Sequence, residues 1–269
     1  MVYKRIATSI IAVMSLGISS QTAQAQDDFE ATNTTSDANN PLAETTSFNI
    51  QNYYIGKFTE SNQKGNQFVL RYGKPVSIGK TNWLARASLP INSLPVNTDG
   101  TRETGIGDFD IFASYLFKTG DPKISFGIGP QVVLPTATDD RLGAEQLQLG
   151  LANVYFNARS EKFQYGYLLT YRAGVGDTNG RDRVSLAALQ PFLVYQLEKG
   201  WYTGMAPLWG YNFKNDSYSI PVGLRLGKVI QKNKTVFNFF VEPQYSIFDK
   251  GPGQPKWQIY FAVNMQFSK

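Results

Sequence analysis

The closing stretch WQIYFAVNMQFSK (257–269) alternates without a break. Trp257, Ile259, Phe261, Val263, Met265 and Phe267 take one phase; Gln258, Tyr260, Ala262, Asn264 and Gln266 take the other. A period of two sends successive side chains to opposite faces of a β-strand. One face of this strand is therefore bulky and apolar, and the other is amide or small. The same pattern recurs in 122–135 (Ile124, Phe126, Ile128, Val132, Leu134), in 216–230 (Tyr218, Ile220, Val222, Leu224, Leu226) and in 234–248 (Phe237, Phe239, Val241, Tyr245, Ile247). Whatever fold forms must cover many such faces at once.

Apolar alternation predicts strands at 47–58, 66–78, 82–95, 105–118, 122–135, 146–160, 162–176, 184–198, 200–213, 216–230, 234–248 and 256–268. Their number is even. The connections near 79–81, 119–121, 161, 199 and 231–233 read as tight. Those near 59–65, 96–104, 136–145, 177–183 and 249–255 read as longer and polar, and the link at 214–215 departs from that order. This pattern predicts an all-β, up-and-down antiparallel transmembrane barrel of about twelve strands, with short periplasmic turns and longer extracellular loops. The chain has 18 Phe, 15 Tyr and 4 Trp. Many fall at strand ends: Trp83, Tyr115, Phe117, Phe163, Tyr165, Trp201 and Tyr202 beside short turns, and Tyr211, Phe213, Phe248 and Trp257 beside long loops. Such girdles mark the two membrane interfaces. A soluble sandwich would also alternate, with its apolar face inward; the girdles and the N-terminus favour lipid.

Lys4 and Arg5 precede the apolar run IATSIIAVMSLGISS, and QTAQAQ follows with Ala23 and Ala25 in an A-x-A arrangement. This order reads as a secretory signal peptide over 1–25. Residues 26–46 hold five acids and no base and show no periodicity, which reads as a flexible polar leader before a barrel over 47–269. The chain has no Cys, so no disulfide supports it outside the cytoplasm. The expected location is the outer membrane. The expected partners are its lipid bilayer, the outer-membrane assembly machinery and a small solute. The net charge of +5 comes with no clustered basic run, and nucleic acid is not expected.

Arg71, Arg86, Arg172 and Arg225 take the polar phase of their strands, as do Asp108, Asp110 and Glu242. These seven are the candidates for lining the lumen and setting selectivity, since opposed charges across a pore tune what passes. Asp108 and Asp110 could also form a carboxylate dyad, and TATDDR (136–141) could offer oxygens to calcium. Two carboxylates fall short of the six to eight oxygens calcium takes, so no metal and no cofactor is expected. GIGD and GIGP resemble phosphate loops, but strands follow them where a phosphate site needs a helix N-terminus. No His occurs anywhere, which removes the usual base of hydrolytic barrels, and no catalytic residue is assigned. Pro90, Pro130, Pro191, Pro207, Pro221 and Pro243 fall inside predicted strands. Proline has no N–H for a ladder, so bulges or kinks are expected there. Pro130, Pro191, Pro207 and Pro243 take the apolar phase.

NPLAE (40–44), GIGDFDIFASYLF (105–117), FGIGPQVVLPTATDDRLG (126–143), LQPFLVYQLEKGWY (189–202) and IPVGLRLGKV (220–229) occur in this order. Together they resemble a bacterial outer-membrane β-barrel family labelled transporter, related to the channels of the meta-pathway of phenol degradation and often mislabelled neuromedin U. That resemblance implies a barrel passing small molecules; a diffusion channel is expected, and the excess of lumen arginines over lumen acids predicts a weak preference for anionic or polar aromatic solutes, through charge and guanidinium stacking. The strand that ends on Phe267, with Trp257 at its start, also resembles the assembly signal of outer-membrane barrels. The alternatives are a structural or adhesive barrel with a plugged lumen, and a His-free barrel enzyme.

Overall fold

The computed structural model describes residues 37–267 apart from 98 and 179. The signal peptide, most of the leader and the final two residues lie outside the described residues. The strand segments are β1 (Thr46–Phe58), β2 (Gly65–Ile78), β3 (Thr81–Pro95), β4 (Arg102–Ile106), β5 (Phe109–Leu116), β6 (Ile124–Leu134), β7 (Leu147–Asn157) and β8 (Phe163–Val175). They continue as β9 (Ser185–Gln196), β10 (Trp201–Met205), β11 (Trp209–Asn212), β12 (Ser217–Gly223), β13 (Arg225–Lys232), β14 (Thr235–Lys250) and β15 (Pro255–Phe267). Three pairs, β4/β5, β10/β11 and β12/β13, are each one strand interrupted, which leaves twelve strands in the wall. Each pairs antiparallel with its chain neighbours, and β1 closes the barrel on β15 through Thr46↔Phe267, Ile50↔Val263 and Tyr54↔Ile259. The expected twelve-strand antiparallel barrel is the fold observed. Closure leaves no free strand edge.

The interruptions have a common cause in proline chemistry. Gly107 donates its N–H to the Pro90 carbonyl (2.9 Å), and Pro90 has no N–H to return, so β4 and β5 part there. Leu224 donates to the Pro243 carbonyl (3.2 Å) with the same one-sided result between β12 and β13. Pro207 sits in the gap between β10 and β11. Pro191 and Pro207 fall opposite one another in the β9 register, so two neighbouring strands lose a donor at one height. The alternation survives the β10/β11 and β12/β13 breaks because no residue is added or lost in their register, whereas the β4/β5 break adds one residue opposite Pro90, a bulge at Gly107.

Beside the ends of β1 and β15 lie the connections 79–80, 117–123, 158–162, 197–200 and 233–234; we call this the turn end. The opposite, loop end carries 59–64, 96–101, 135–146, 176–184, 213–216 and 251–254. The contrast in length is weaker than expected. The turn 117–123 is longer than the loops 213–216 and 251–254 because β5 stops at Leu116 and β6 starts only at Ile124.

The two faces separate cleanly. In β14, Val236, Asn238, Phe240, Glu242, Gln244 and Ser246 are buried inward, while Phe239, Val241, Tyr245 and Ile247 are exposed outward. In β15, Gln258, Tyr260 and Ala262 are buried inward, and Phe261 and Phe267 are exposed outward. Outward Leu224 is 69% exposed and Leu151 58%. At the turn end Trp83, Tyr115, Phe117 and Phe126 form a chain of ring contacts, and Phe163, Tyr165 and Tyr155 form another. At the loop end Tyr171, Phe213, Tyr211 and Tyr218 do the same. Tyr202 departs from its expected girdle position. It points inward, fully buried, with its ring laid across Gly227 and its hydroxyl donating to Asn238 Oδ1 at 2.7 Å. A Cβ at position 227 would fall 2.1 Å from the ring, so the close approach requires glycine. Pro207 also departs from the outward phase and is fully buried, because the unpaired backbone at 206–208 turns inward and leaves Leu208 exposed in its place.

Candidate functional site

The barrel interior at the turn end is crossed by the segment before β1. Ala38 packs with Val194, Tyr202, Val229, Phe240 and Tyr260 on one side of the lumen. Leu42 packs with Leu84, Phe112, Val154 and Leu168 on the other. Asn40 Nδ2 donates to Ser125 Oγ (3.0 Å), and Asn238 Nδ2 donates to the Ala38 carbonyl (3.2 Å). The stretch read as a flexible leader is therefore, from residue 37 on, a folded strap across the barrel mouth. Burying Leu42 supplies about 1.5–3 kcal/mol toward holding it there. One apolar residue between Pro41 and Ala43 in a polar leader was the signal in the sequence.

Against the strap lies a chamber with a cavity volume of about 120 Å³, bounded by Ala38, Asn40, Pro41, Ala43 and Thr45 and by Asn49, Gln51, Arg71, Arg86, Arg225, Tyr260 and Asn264 among others. The candidate charges divide into three groups, of which Arg71, Arg86 and Arg225 line the chamber. Arg225 and Glu242 form a buried ion pair, with Arg225 Nη2 2.6 Å and Nε 2.7 Å from Glu242 Oε2. The Arg225 guanidinium also lies 3.7 Å over the Phe240 ring. The Glu242 carboxylate further accepts the Ala206 N–H (3.1 Å) and Gln244 Nε2 (2.8 Å). It thus serves an N–H that the proline break at 206–208 removes from the ladder. Arg172 and Asp110 form a looser pair at 3.7 Å, with Gln131 also donating to Asp110.

Arg71 and Arg86 make up the second group. They face the lumen from adjacent strands, Arg71 opposite Ser88 and Arg86 opposite Gly73. Arg71 Nε donates to Ser88 Oγ at 3.2 Å, and the Arg86 guanidinium lies 4.1 Å over the Phe112 ring. Among the described residues no carboxylate lies within 4.0 Å of either. Neither is in direct contact with a carboxylate, and Asp110 acts on Arg86 only at longer range.

Asp108 stands alone as the third. Its two oxygens accept the backbone N–H groups of Ala137 (3.3 Å) and Ala144 (2.7 Å), so it anchors the loop 135–146 and acts on Arg172 only at a distance, without an ion pair. A dyad with Asp110 does not form, since each carboxylate has separate partners. Asp139 and Asp140 are engaged by arginines instead of converging on a cation: Asp139 by Arg141 at 2.7 Å and Asp140 by Arg181 at 3.3 Å. The hydrogen bond from Arg141 holds the Asp139 carboxyl well below the usual range. Among the described residues no cluster of metal-ligating side chains occurs. Trp257 lies outward over a bulge at Gly56, and Phe267 sits at the turn-end rim opposite Thr46 and Thr235. Asn49, Gln51 and Asn264 were not singled out in the sequence; amides recur on the polar phase of many strands, and only the register brings these three to one chamber.

No family model matches the chain, and no curated protein does. Solved structures do. An outer membrane channel from Pseudomonas putida F1 superposes with a TM-score of 0.63 at 12% identity, over 85% of this chain and 98% of that one. The NanC porin superposes with a TM-score of 0.51 at 10% identity, over 82% of this chain and 100% of that one. At such identities the likeness establishes the barrel fold and its kinship in shape with outer-membrane channels and porins. The neighbours are channels and not enzymes.

Proposed function

We propose that the chain is an outer-membrane channel through which small solutes diffuse, with a preference for anions. The outward face supports the membrane setting. A band of exposed Leu, Phe, Val and Ile around the whole wall far exceeds the apolar patches a soluble monomer carries. It lies between two sets of stacked aromatics, as a bilayer-spanning barrel requires. The turn end is then periplasmic, and Trp257 and Phe267 on the closing strand suit recognition by the assembly machinery. Export through residues 1–25 belongs to the same proposal.

The observation that carries the anion preference is the pair Arg71 and Arg86, which face the chamber with no carboxylate in contact with either. Arg225 was an equal candidate in the sequence, but Glu242 neutralises it. A patch of fixed positive charge in a narrow, low-dielectric passage raises the local concentration of anions. The strap favours one second reading, a structural barrel whose lumen stays shut. Flux separates the two. Liposomes carrying the refolded full chain should swell in isotonic glutamate faster than in isotonic lysine at equal osmolarity. Swelling no faster than protein-free liposomes in either solute would favour the closed barrel.

A further inference from the structure

The chamber holds more than charge. Arg86 Nε, Asn49 Oδ1, Gln51 Oε1 and Asn264 Oδ1 are shielded from solvent, and none has a hydrogen-bond partner in the protein. All four belong to residues that line the same chamber. Their convergence follows from the register: Asn49 lies opposite Asn264 on one side and opposite Arg71 on the other. An unpaired buried polar atom costs about 1–3 kcal/mol. Thr45 Oγ1, in the same lining, is a fifth, and four more such atoms, on Ser114, Gln131, Gln148 and Gln196, lie elsewhere in the wall; the five gathered round one space describe the complement of a ligand.

The chemistry of that ligand can be read from the atoms. A guanidinium fork seeks a carboxylate or phosphate oxygen. Amide oxygens seek donors, and an amide can meet a hydroxyl through either of its ends. A bare phosphate or a fatty acid would serve the arginines and leave the amides unmatched. A neutral polyol would do the reverse. We propose that the chamber is a binding site for a small hydroxylated carboxylate, such as a monomeric sugar acid. Its carboxylate lies on Arg71 and Arg86, and its hydroxyls lie on Asn49, Gln51 and Asn264. This rests on the anion-preferring reading of the lumen and narrows it to a substrate class.

Isothermal titration of the refolded full chain in detergent micelles tests it with three probes of similar size: gluconate, hexanoate and sorbitol. Gluconate should bind at least about tenfold more tightly than either of the others, the equivalent of one good hydrogen-bonded group. Arg86→Gln should weaken gluconate about tenfold and leave sorbitol unchanged, and Asn49→Leu should bring gluconate down to the level of hexanoate. If Asn49→Leu does not fold, Asn264→Ala, whose neighbours are other strands' amides, makes the same comparison. Equal binding of gluconate and hexanoate would overturn the hydroxyl reading. Absence of binding by all three, in a protein that still swells liposomes faster in glutamate, would overturn the site while leaving the anion channel standing. Failure of both would remove the anion reading as well.

Discussion

Glu242 tests how this wall tolerates its prolines. The carboxylate is fully buried and accepts from Ala206 N–H, from two Arg225 nitrogens and from Gln244. Replacing it by Gln keeps the volume but removes the charge and turns an NH2 group toward a set of donors. Arg225, whose side chain is only 10% exposed, is then buried without a counter-charge. Breaking a buried pair from one side costs about 3–5 kcal/mol. In the double variant Glu242→Gln with Arg225→Met, the stranded charge is gone and only hydrogen-bond geometry is lost, about 1–2 kcal/mol. Urea titration of the refolded protein in lipid, followed by tryptophan fluorescence, measures both. Hydrogen exchange at Ala206 should accelerate in the single variant. A single variant within about 1 kcal/mol of the parent, or a double variant no more stable than the single, would refute the role given to this carboxylate.

Further outcomes follow from the same geometry. Leu224→Arg and Val263→Arg, both outward, should each cost about 2–4 kcal/mol in a lipid-refolding assay, while Asn264→Gln inside should cost far less; equal costs on the two faces would contradict the assignment of faces. Gly223 is no substitute for that inner control, because a Cβ there would fall 2.5 Å from Glu242 Oε1; Gly223→Ala should resemble Glu242→Gln in a urea titration. Leu42→Asp should release the strap and raise bilayer conductance by roughly the factor that losing about 2 kcal/mol of apolar burial allows, on the order of tenfold or more; unchanged conductance would mean the strap does not limit passage. At the turn 117–123, the hydrogen bond from Arg159 holds the Asp121 carboxyl below its ordinary 3.8. A depressed carboxylate stabilises the fold above its ordinary value, and the contribution is lost as pH falls through the folded one. Carboxyl NMR should therefore find Asp121 titrating below 3.8 in the parent and returning toward it in Arg159→Ala.

The strands were legible because each alternation runs long enough that a slip of one residue would exchange its two faces. The faces of β6, β12 to β15 and the position of Arg86 follow from counting alone. Counting fails where pairing fails. Pro207 keeps the outward parity in the sequence, yet the chain around it is not paired and the ring turns inward. Tyr202 reads as a girdle aromatic by its place beside a turn, but its parity is that of Gly204 and it fills the groove over Gly227. Parity places Asp108 and Asp110 together, whereas the bulge at Gly107 commits Asp108 to the loop 135–146. Among the arginines, parity says which face the lumen. Only the closed wall shows which have a carboxylate within reach, because Arg172 and Asp110 come from strands far apart in the chain. The strap had no periodicity to announce it, since a segment that crosses a lumen obeys neither the period of a strand nor that of a helix.

The reversal potential of the refolded full chain in a planar bilayer, under a tenfold gradient of potassium chloride, tests the central claim most directly. If Arg71 and Arg86, which no carboxylate contacts, govern passage, the parent channel is anion-selective. Arg71→Gln with Arg86→Gln then moves the reversal potential toward zero, while Arg225→Met with Glu242→Gln, which removes a neutralised pair, leaves it in place. A cation-selective parent, or a reversal potential that the first pair of substitutions does not move, would contradict the account.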